Sequence, residues 1–337
     1  MKIKLAKSQI IFILTVFVVL IGVFVGFFLI NNPMKKVYHV GIISGTDFFA
    51  GTDQGFIQKM RELGYKEGEN IIYDIQKTNN DSEAANKIIK KFIDDKVDLI
   101  FAFPTNVAIQ AKELAKNTKI PVVFGDATIE GSGLVKDVNY PGDNITGVRQ
   151  ETTETVVKRF ELMHKLAPNA KRYLIFYQAD IAIVPNQIRE LVSLAQESDV
   201  ELVLKPVKST ADIVVYLKEQ EESLSLDFDA ILTIIEPIAN IPVNSQVLSV
   251  FANMHNIPFG GAPLSGEYEN LFGVSMDTSL AGGQAAILAD KVLKGTFAGS
   301  IPVVTAEKYI QINLKIARRL GLTVDNNLFS QADEIIR

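Results

Sequence analysis

The sequence contains no cysteine, and this absence removes several classes of chemistry at once. Disulfide bonds, thiol nucleophiles, iron–sulfur clusters and cysteine-type zinc sites all need a cysteine sulfur. A cysteine-linked lipid anchor of the bacterial lipoprotein kind is excluded for the same reason. The three histidines, His39, His164 and His255, lie far apart in the sequence and show no metal-ligand spacing, so we predict no metal site.

Strongly basic segments and familiar catalytic motifs are also missing. The 337 residues carry a net charge of −5 without any basic cluster, which argues against a nucleic-acid partner. There is no Gly-x-Ser-x-Gly elbow, no carboxylate pair with a distinctive spacing, and no glycine-rich phosphate loop with a lysine. His164 shares a helical pattern with apolar neighbours, which is typical of a packing or surface residue. We therefore predict that the protein is not an enzyme and needs no cofactor.

A long apolar run does occur, at the N-terminus. Residues 10–30 are almost entirely apolar, and at ~1.5 Å per residue such a helix crosses a ~30 Å hydrocarbon core. Lysines before the run favour a cytoplasmic N-terminus, although Lys35 and Lys36 after it weaken that bias. The run is longer than a signal-peptide core and lacks a small-x-small cleavage site. We predict an uncleaved transmembrane anchor with its linker at 1–36, and an extracytoplasmic remainder attached to the cell membrane.

After this segment, strand-like apolar runs alternate with amphipathic helical stretches, which predicts parallel sheets covered by helices. In the first half, the predicted strands are 37–43, 70–76, 97–103 and 120–126, and the helices 54–65, 82–96 and 106–117. The pattern then restarts with strands 169–178, 200–207, 228–236 and 257–263, and helices 184–199, 210–224 and 244–256. A further helix is predicted at 279–295, and a strand followed by a helix at 309–322. Two stretches, 142–148 and 270–276, are interpreted as crossings between the two α/β halves.

Ligands of open parallel sheets bind beyond the carboxyl ends of the strands, so the residues after each strand are the candidate site. The stretch "SGTDFFAG" follows the first strand and places Phe48 and Phe49 beside small residues such as Ser44 and Thr46. Adjacent aromatic residues are unusual in a loop, since nothing repays their exposure to water. They either cover an apolar part of a ligand or pack under the following helix.

Four other strand ends offer candidate contacts, each with two open interpretations. Thr105 and Asn106 begin a helix whose N–H groups suit an anionic ligand, or they are ordinary caps. Asp126 either faces a ligand or caps a helix. Tyr177 either faces the cleft or packs in the core. Glu236 either accepts a ligand ammonium group or is a solvated loop carboxylate.

Three longer stretches carry a family resemblance. They are "GFIQKMRELGYKEGENIIYDIQKTNND", "DLIFAFPTNVAIQAKELAKNTKIPVVFGDATIEGSGLVKDVNYPGDNITGV" and "KYIQINLKIARRLGL". They resemble the substrate-binding proteins of ABC importers with the type I periplasmic-binding fold. The closest group includes tryptophan- and tyrosine-type binding components. The resemblance covers about residues 37 to 322.

The resemblance implies two Rossmann-like lobes, joined by three crossovers, that close on a small ligand. It places lobe 1 at 37–148 plus 275–303 and lobe 2 at 149–274 plus 304–337. Relatives bind an amino-acid carboxylate with hydroxyl and N–H donors, and its ammonium group with an acidic or amide side chain. The ligand-binding residues predicted from position are Ser44, Thr46, Phe48, Phe49, Thr105, Asn106, Asp126, Ala127, Tyr177, Glu236 and Asp277.

The sequence departs from many relatives in two features. The apolar N-terminal segment replaces a cysteine anchor, and Ile-Glu-Pro replaces a Thr-Asp type stretch in the second lobe. We expect a membrane-anchored solute-binding protein that delivers an amino acid to an ABC permease and its ATPase. Phe48 and Phe49 favour an aromatic ligand. An alternative is an extracytoplasmic ligand-sensing domain of a membrane signalling system, and an enzyme on the same fold is the weakest alternative.

Overall fold

The computed structural model describes residues 36–46, 50–261 and 270–337. The predicted anchor at 10–30 lies outside these ranges and stays a prediction. Among the helices of the described ranges, none combines the length and the apolar character that a membrane span requires.

The described chain alternates strands and helices almost throughout. The strands are β1 (Tyr38–Ser44), β2 (Ile71–Lys77), β3 (Leu99–Ala102), β4 (Val122–Ala127), β5 (Ile145–Arg149), β6 (Arg172–Tyr177), β7 (Glu201–Pro206), β8 (Ala230–Leu232), β9 (Phe259–Gly261), β10 (Phe272–Met276), β11 (Val304–Thr305), β12 (Lys308–Asn313) and β13 (Glu334–Ile336). The α-helices are α1 (Ala50–Glu62), α2 (Ser82–Asp94), α3 (Thr105–Ala115), α4 (Thr152–Leu166), α5 (Val184–Glu197), α6 (Thr210–Glu222), α7 (Pro242–Met254), α8 (Thr278–Leu293), α9 (Leu314–Arg319) and α10 (Asn326–Gln331).

The first sheet has the strand order β11-β5-β4-β3-β1-β2, and its neighbouring strands are parallel. Helices α1 and α8 cover one face, and α2 and α3 cover the other. A strand that is buried on both faces needs a continuous apolar run, which explains the composition of β1 and β3. Phe56 of α1 stacks on Phe101 of β3 with the ring centroids 4.2 Å apart.

The second sheet has the order β13-β12-β10-β9-β8-β6-β7. β12 runs antiparallel to β10, and the other pairs are parallel. Phe160 of α4 and Leu191 of α5 pack on one face, and Leu217 of α6 and Phe251 of α7 on the other. The predicted fold class of two mainly parallel α/β halves is therefore confirmed for the described residues.

The chain passes between the two sheets three times. The first connection, 150–151, joins β5 to α4; the second, Asp277, joins β10 to α8; the third, 306–307, joins β11 to β12. Each lies a few residues after a lobe boundary given above. These connections are the segments whose backbone must bend if the sheets move relative to each other.

Two predicted crossings prove to be strands. The stretch 142–148 contains most of β5 and 270–276 contains β10, and the chain leaves each sheet only after the strand has ended. Both stretches are apolar enough to be buried, so they pair with β4 and β9 instead of bridging the halves. Of the strand predicted at 228–236, only Ala230–Leu232 (β8) is a strand, and a 3₁₀ helix follows at Ile238–Asn240. Helix α1 begins before the predicted start at Gln54.

Candidate functional site

The carboxyl edge of the first sheet carries buried hydroxyl groups without partners. Ser44 ends β1 and is 2% exposed, and its Oγ forms no hydrogen bond within the described chain. Thr52, in the first turn of α1, is fully buried, and its Oγ1 is equally unpartnered. A buried hydroxyl without a partner is unfavourable, so both groups are candidates for a hydrogen bond to a bound polar atom. Sequence reasoning missed Thr52 because it lies beyond the loop that follows the strand.

The loop after β1 is tightly packed where it leaves the sheet. A Cβ added to Gly45 would lie 2.9 Å from Cδ of Pro104 and 3.0 Å from Oδ1 of Asn80, so only glycine fits there. Thr46 follows and is half-buried. Phe48 and Phe49 lie outside the described residues, so their contact with a ligand stays a prediction.

Helix α3 begins without a side-chain cap. Its N-cap residue is Pro104, which follows Phe103 through a cis peptide bond and has no acceptor in its side chain. The prediction that Thr105 or Asn106 caps this helix is wrong, because both lie inside the first turn. Oγ1 of Thr105 instead accepts the N–H of Thr128 at 2.9 Å. The first N–H groups of α3 therefore keep donor capacity at the sheet edge, where a carboxylate would be favoured.

Asp126 is a buried carboxylate in a left-handed backbone conformation. Its φ is +46°, at the point where the pairing of β4 with β5 shifts register after Phe124. The residue is 7% exposed, its carboxylate has no hydrogen-bond or ion-pair partner among the described residues, and burial raises the pKa of Asp126 to about 7. No helix begins here, so the helix-cap interpretation is wrong. The acid lacks the partner that a buried carboxylate normally has.

Ala127 and Tyr177 mainly have packing roles. The methyl group of Ala127 is buried in the core of the first sheet, and its carbonyl accepts the N–H of Gln150 at 2.9 Å. Tyr177 ends β6, is half-buried, and packs against the core of the second sheet. For Tyr177 the structure thus favours packing over the cleft.

Glu236 lies beyond the carboxyl end of β8 and is only 1% exposed. Its Oε1 accepts the N–H of Ala239 at 3.2 Å, and the N–H groups of Ile238 and Gln178 also point to the carboxylate. Burial outweighs these donors and raises the pKa of Glu236 to about 7. Oε2 is buried and has no partner within the described chain. The interpretation of Glu236 as a solvated loop carboxylate is therefore wrong.

Asp277 is the N-cap residue of α8 and accepts a backbone N–H at 2.9 Å. Helices α1 and α8 lie in very close contact: a Cβ added to Gly55 would overlap the carbonyl oxygen of Ser279, and one added to Gly282 would overlap that of Thr52. Each contact joins the first turn of one helix to the second turn of the other, so the N-termini of the two helices lie side by side. The positive ends of two helix dipoles favour negative charge nearby.

A buried arginine hydrogen-bonds to the backbone of the second sheet near Glu236. Arg159 of α4 is 4% exposed and donates to the carbonyl oxygen of Val274 at 2.8 and 3.0 Å and to that of Thr233 at 3.0 Å. It pairs with no carboxylate in the described chain, and burial lowers the pKa of Arg159 to about 9. Because Thr233 directly follows β8, Arg159 fixes the backbone that leads to Glu236. A single arginine in a helix gave no sequence signal for this role.

The structure brings the polar groups of the first sheet to one edge. Thr52 lies beside the end of β4, because a Cβ added to Gly125 would be 3.1 Å from its Cγ2. Only β3 separates β1, which ends in Ser44, from β4, which carries Asp126. Glu236 occupies the carboxyl edge of the second sheet. Within the described ranges, no group of three or more His, Asp or Glu side chains is arranged to hold a metal ion.

Comparison with known proteins assigns the chain to a family. The sequence model of the ABC transporter substrate binding protein family matches residues 39–336. The chain belongs to this family. A tyrosine-binding protein of Clostridioides difficile strain R20291 is 31% identical over 292 residues, which cover 83% of this chain and 80% of that protein. The family resemblance read from the sequence is thus confirmed.

Solved structures share the architecture of this substrate-binding protein. An ABC domain from Streptococcus pneumonia in complex with L-Trp superposes with a TM-score of 0.73 at 22% identity, covering 89% of this chain and 100% of that one. The ligand-free, open structure of a substrate-binding protein with adhesive properties from Clostridium difficile gives 0.71 at 24% identity, covering 89% and 99%. At these identities the likeness shows the fold, which is the type I periplasmic-binding fold.

Proposed function

We propose that this protein binds an amino acid with an aromatic side chain in a cleft between its two lobes and delivers it to an ABC permease and its ATPase. The observation that carries the proposal is the pair of buried carboxylates, Asp126 and Glu236, at the carboxyl edges of the two sheets. Neither has a cationic partner among the described residues. A zwitterionic amino acid supplies one positive charge, which we assign to Glu236.

The remaining groups suit the other parts of such a ligand. The ammonium group is assigned to Oε2 of Glu236, which is buried and unpartnered. The carboxylate is assigned to the hydroxyl of Ser44 and to the uncapped N–H groups of α3. The aromatic ring is assigned to Phe48 and Phe49. The names of two similar proteins support an aromatic ligand, since one binds tyrosine and the other was solved with L-Trp.

We further propose that residues 10–30 anchor the protein in the cell membrane and hold the binding domain on the extracytoplasmic side. The length and apolar character of this segment support the anchor, together with the lysines before it. The lobes are assigned as 37–148 plus 275–303 and 149–274 plus 304–337. An importer component needs this location, because it must meet its ligand outside the cytoplasm.

Isothermal titration calorimetry of the purified full chain tests the ligand class. The titrants are L-Trp, L-Tyr and L-Phe, with L-Glu and D-Trp as controls for side-chain chemistry and chirality. We expect saturable binding of at least one aromatic L-amino acid and none of L-Glu. Failure of L-Trp, L-Tyr and L-Phe all to bind at millimolar concentration would refute the proposal.

A further inference from the structure

A network of charged side chains spans two of the three connections between the sheets. Arg149 ends β5, just before the first connection, and donates to Glu130 at 2.8 Å, to Glu151, and to Oγ1 of Thr305 at 3.1 Å. Thr305 ends β11, just before the third connection. Arg149 therefore ties the first-sheet ends of both connections to Glu151, which lies within the first connection.

The same network continues on the second-sheet side. Lys308 begins β12, directly after the third connection, and its Nζ lies 3.6 Å from Glu151 and 3.2 Å from Glu154. Glu154 lies in the first turn of α4. Glu151 is thus shared by a cation from each side: Arg149 on the first sheet and Lys308 on the second. We call Glu130, Arg149, Glu151, Glu154, Thr305 and Lys308 the connection network.

Backbone hydrogen bonds reinforce this arrangement. The N–H of Ala306 donates to the carbonyl oxygen of Arg149 at 2.8 Å, which joins the third connection to the first. The N–H of Asp277 donates to the carbonyl oxygen of Glu307 at 3.4 Å, which joins the second connection to the third. A change of angle between the sheets must rotate the backbone of all three connections together, so the side chains that cross them resist it.

The central members of the network are shielded from solvent. The side chain of Glu151 is 13% exposed and that of Arg149 22%, whereas that of Glu154 is 64% exposed. Partly buried ion pairs are screened less by water and salt than exposed pairs. Burial and the neighbouring carboxylate of Glu154 raise the pKa of Glu151, whereas Arg149 and Lys308 oppose that rise because they favour the ionised form. The pairs of Glu151 with Arg149 and Lys308 therefore carry most of the restraint, and Glu154 carries less.

We propose that the connection network acts as an electrostatic latch that restrains the angle between the two sheets and thereby sets the balance of open and closed forms in the ligand-free protein. This rests on the proposed function only in assuming that the lobes close on a ligand. None of the network residues belongs to the assigned ligand site. The latch tunes ligand affinity from a distance, since affinity depends on the fraction of protein in the binding-competent form.

The absence of cysteine in the sequence makes a direct test simple, because spin labels attach only where cysteines are introduced. Lys90→Cys on α2 and Ser193→Cys on α5 place one label on an exposed position beside each sheet. Double electron–electron resonance then measures the distribution of distances between the sheets in the full chain without ligand. The distribution is recorded at about 0.1 M and about 1 M salt, which shortens the Debye length from ~10 Å to ~3 Å.

The variants Glu151→Gln and Lys308→Met remove the shared charges while they keep side-chain size. We expect each to broaden or shift the distance distribution at both salt concentrations, because the pairs that it removes are shielded from solvent. Glu154→Gln should give a smaller change. Lys294→Met is the matched control, because it removes the ion pair between Lys294, just after the end of α8, and Asp290 within that helix, away from the connections. An unchanged distribution in both main variants, in protein shown to be folded by its thermal transition, would overturn the latch.

Ligand affinity provides the second readout. Loss of an ion pair of this kind should change the apparent Kd for L-Trp or L-Tyr by about two- to fivefold, without any change at the ligand site. The Lys294→Met control should leave it unchanged. If no amino acid binds to any form, the proposed function fails, yet the distance measurement still decides the latch. If the distances change and the affinity does not, the network is a structural restraint only, and its role in ligand binding is refuted.

Discussion

Burial raises the pKa values of Asp126 and Glu236 to about 7, so each carboxyl group of the ligand-free protein is half protonated near neutral pH. In an unfolded chain these groups titrate near 4. The folded protein therefore binds more protons than the unfolded chain between about pH 4 and pH 7. Ionisation of the two carboxylates without a cationic partner therefore lowers the stability of the ligand-free fold.

The first prediction concerns the pH dependence of stability without ligand. Because both folded pKa values are raised, the free energy of unfolding should fall as pH rises from about 5 to about 7, by up to roughly 3 kcal/mol per carboxylate. Asp126→Asn should remove its share of that slope and stabilise the protein at pH 8. Urea unfolding at several pH values measures this.

Glu113→Gln serves as the control for this series, because Glu113 is an exposed acid on α3. It should leave the slope as in the wild type. A free energy of unfolding that depends equally on pH in wild type and in Asp126→Asn would contradict the assignment of Asp126 as a desolvated acid.

The second prediction concerns Glu236 and ligand affinity. Glu236→Gln keeps the hydrogen bonds to the backbone but removes the negative charge, so affinity for the amino acid should fall about tenfold or more. In the wild type, affinity should weaken as pH falls below 7, since ammonium binding requires the ionised carboxylate. Calorimetry at pH 6, 7 and 8 measures both effects. Glu222→Gln changes an exposed residue of α6 and should leave the affinity unchanged. If the affinity of Glu236→Gln depended on pH as strongly as that of the wild type, Glu236 would be excluded as the titrating group.

At the level of elements, the contact between α1 and α8 depends on glycine for backbone approach. A Cβ at Gly55 or Gly282 would overlap a carbonyl oxygen of the facing helix, which cannot move without separating the two helices. Gly55 and Gly282 therefore let the first turn of α8 lie close to that of α1. The second connection, Asp277, directly precedes α8, so this contact also fixes its position.

The third prediction follows from this contact. Gly282→Ala should destabilise the protein by about 2 to 4 kcal/mol, because the added methyl group meets backbone and not a flexible side chain. Gly283→Ala, one position further along the same helix, should be neutral or slightly stabilising, since its Cβ would meet only ordinary contacts starting at 3.8 Å. Urea unfolding of both variants gives the comparison. Similar losses of stability in the two variants would contradict the role of close contact at Gly282, because helix propensity favours alanine at both positions.

Most helices and strands were predictable because their periodicity is strong. The start of α2 illustrates this: the helix predicted at 82–96 begins at Ser82, and the carboxylate of Asp81 just before it accepts the N–H groups of Glu83 and Ala84. The predictions failed where tertiary pairing decided the outcome. The sequence predicts crossings at β5 and β10 because a short apolar segment does not reveal which strand it pairs with.

At the scale of the whole molecule, the apolar segment 10–30 yields the fourth prediction. The full chain expressed in a bacterial host should sediment with membranes and resist extraction by high salt, whereas deletion of residues 1–33 should release it to the soluble fraction. Protease added to intact spheroplasts should degrade the domain, because we place it outside the cytoplasm. A protease-resistant, membrane-bound domain would place it on the cytoplasmic side instead.

The candidate site was only partly predictable. Ser44, Asp126 and Glu236 were predictable because each lies at the end of a predicted strand. In a parallel sheet the direction of the chain alone determines which edge carries these ends. The burial of these groups, the orphaned hydroxyl of Thr52 and the hydrogen bonds of Arg159 to the sheet backbone were not predictable. Burial depends on which distant segments cover a side chain, and local periodicity carries no such information.

The sequence by itself determined the alternation of strands and helices, the division into two α/β halves, the family, and the chemistry excluded by missing cysteine. These follow from local composition and from spacing along the chain. Only the tertiary structure decided where the chain crosses between the sheets and which acids lack a partner. It also decided that charges from both sides of two connections meet at Glu151. The physical reason is that desolvation and ion pairing depend on distances through space between residues far apart in sequence.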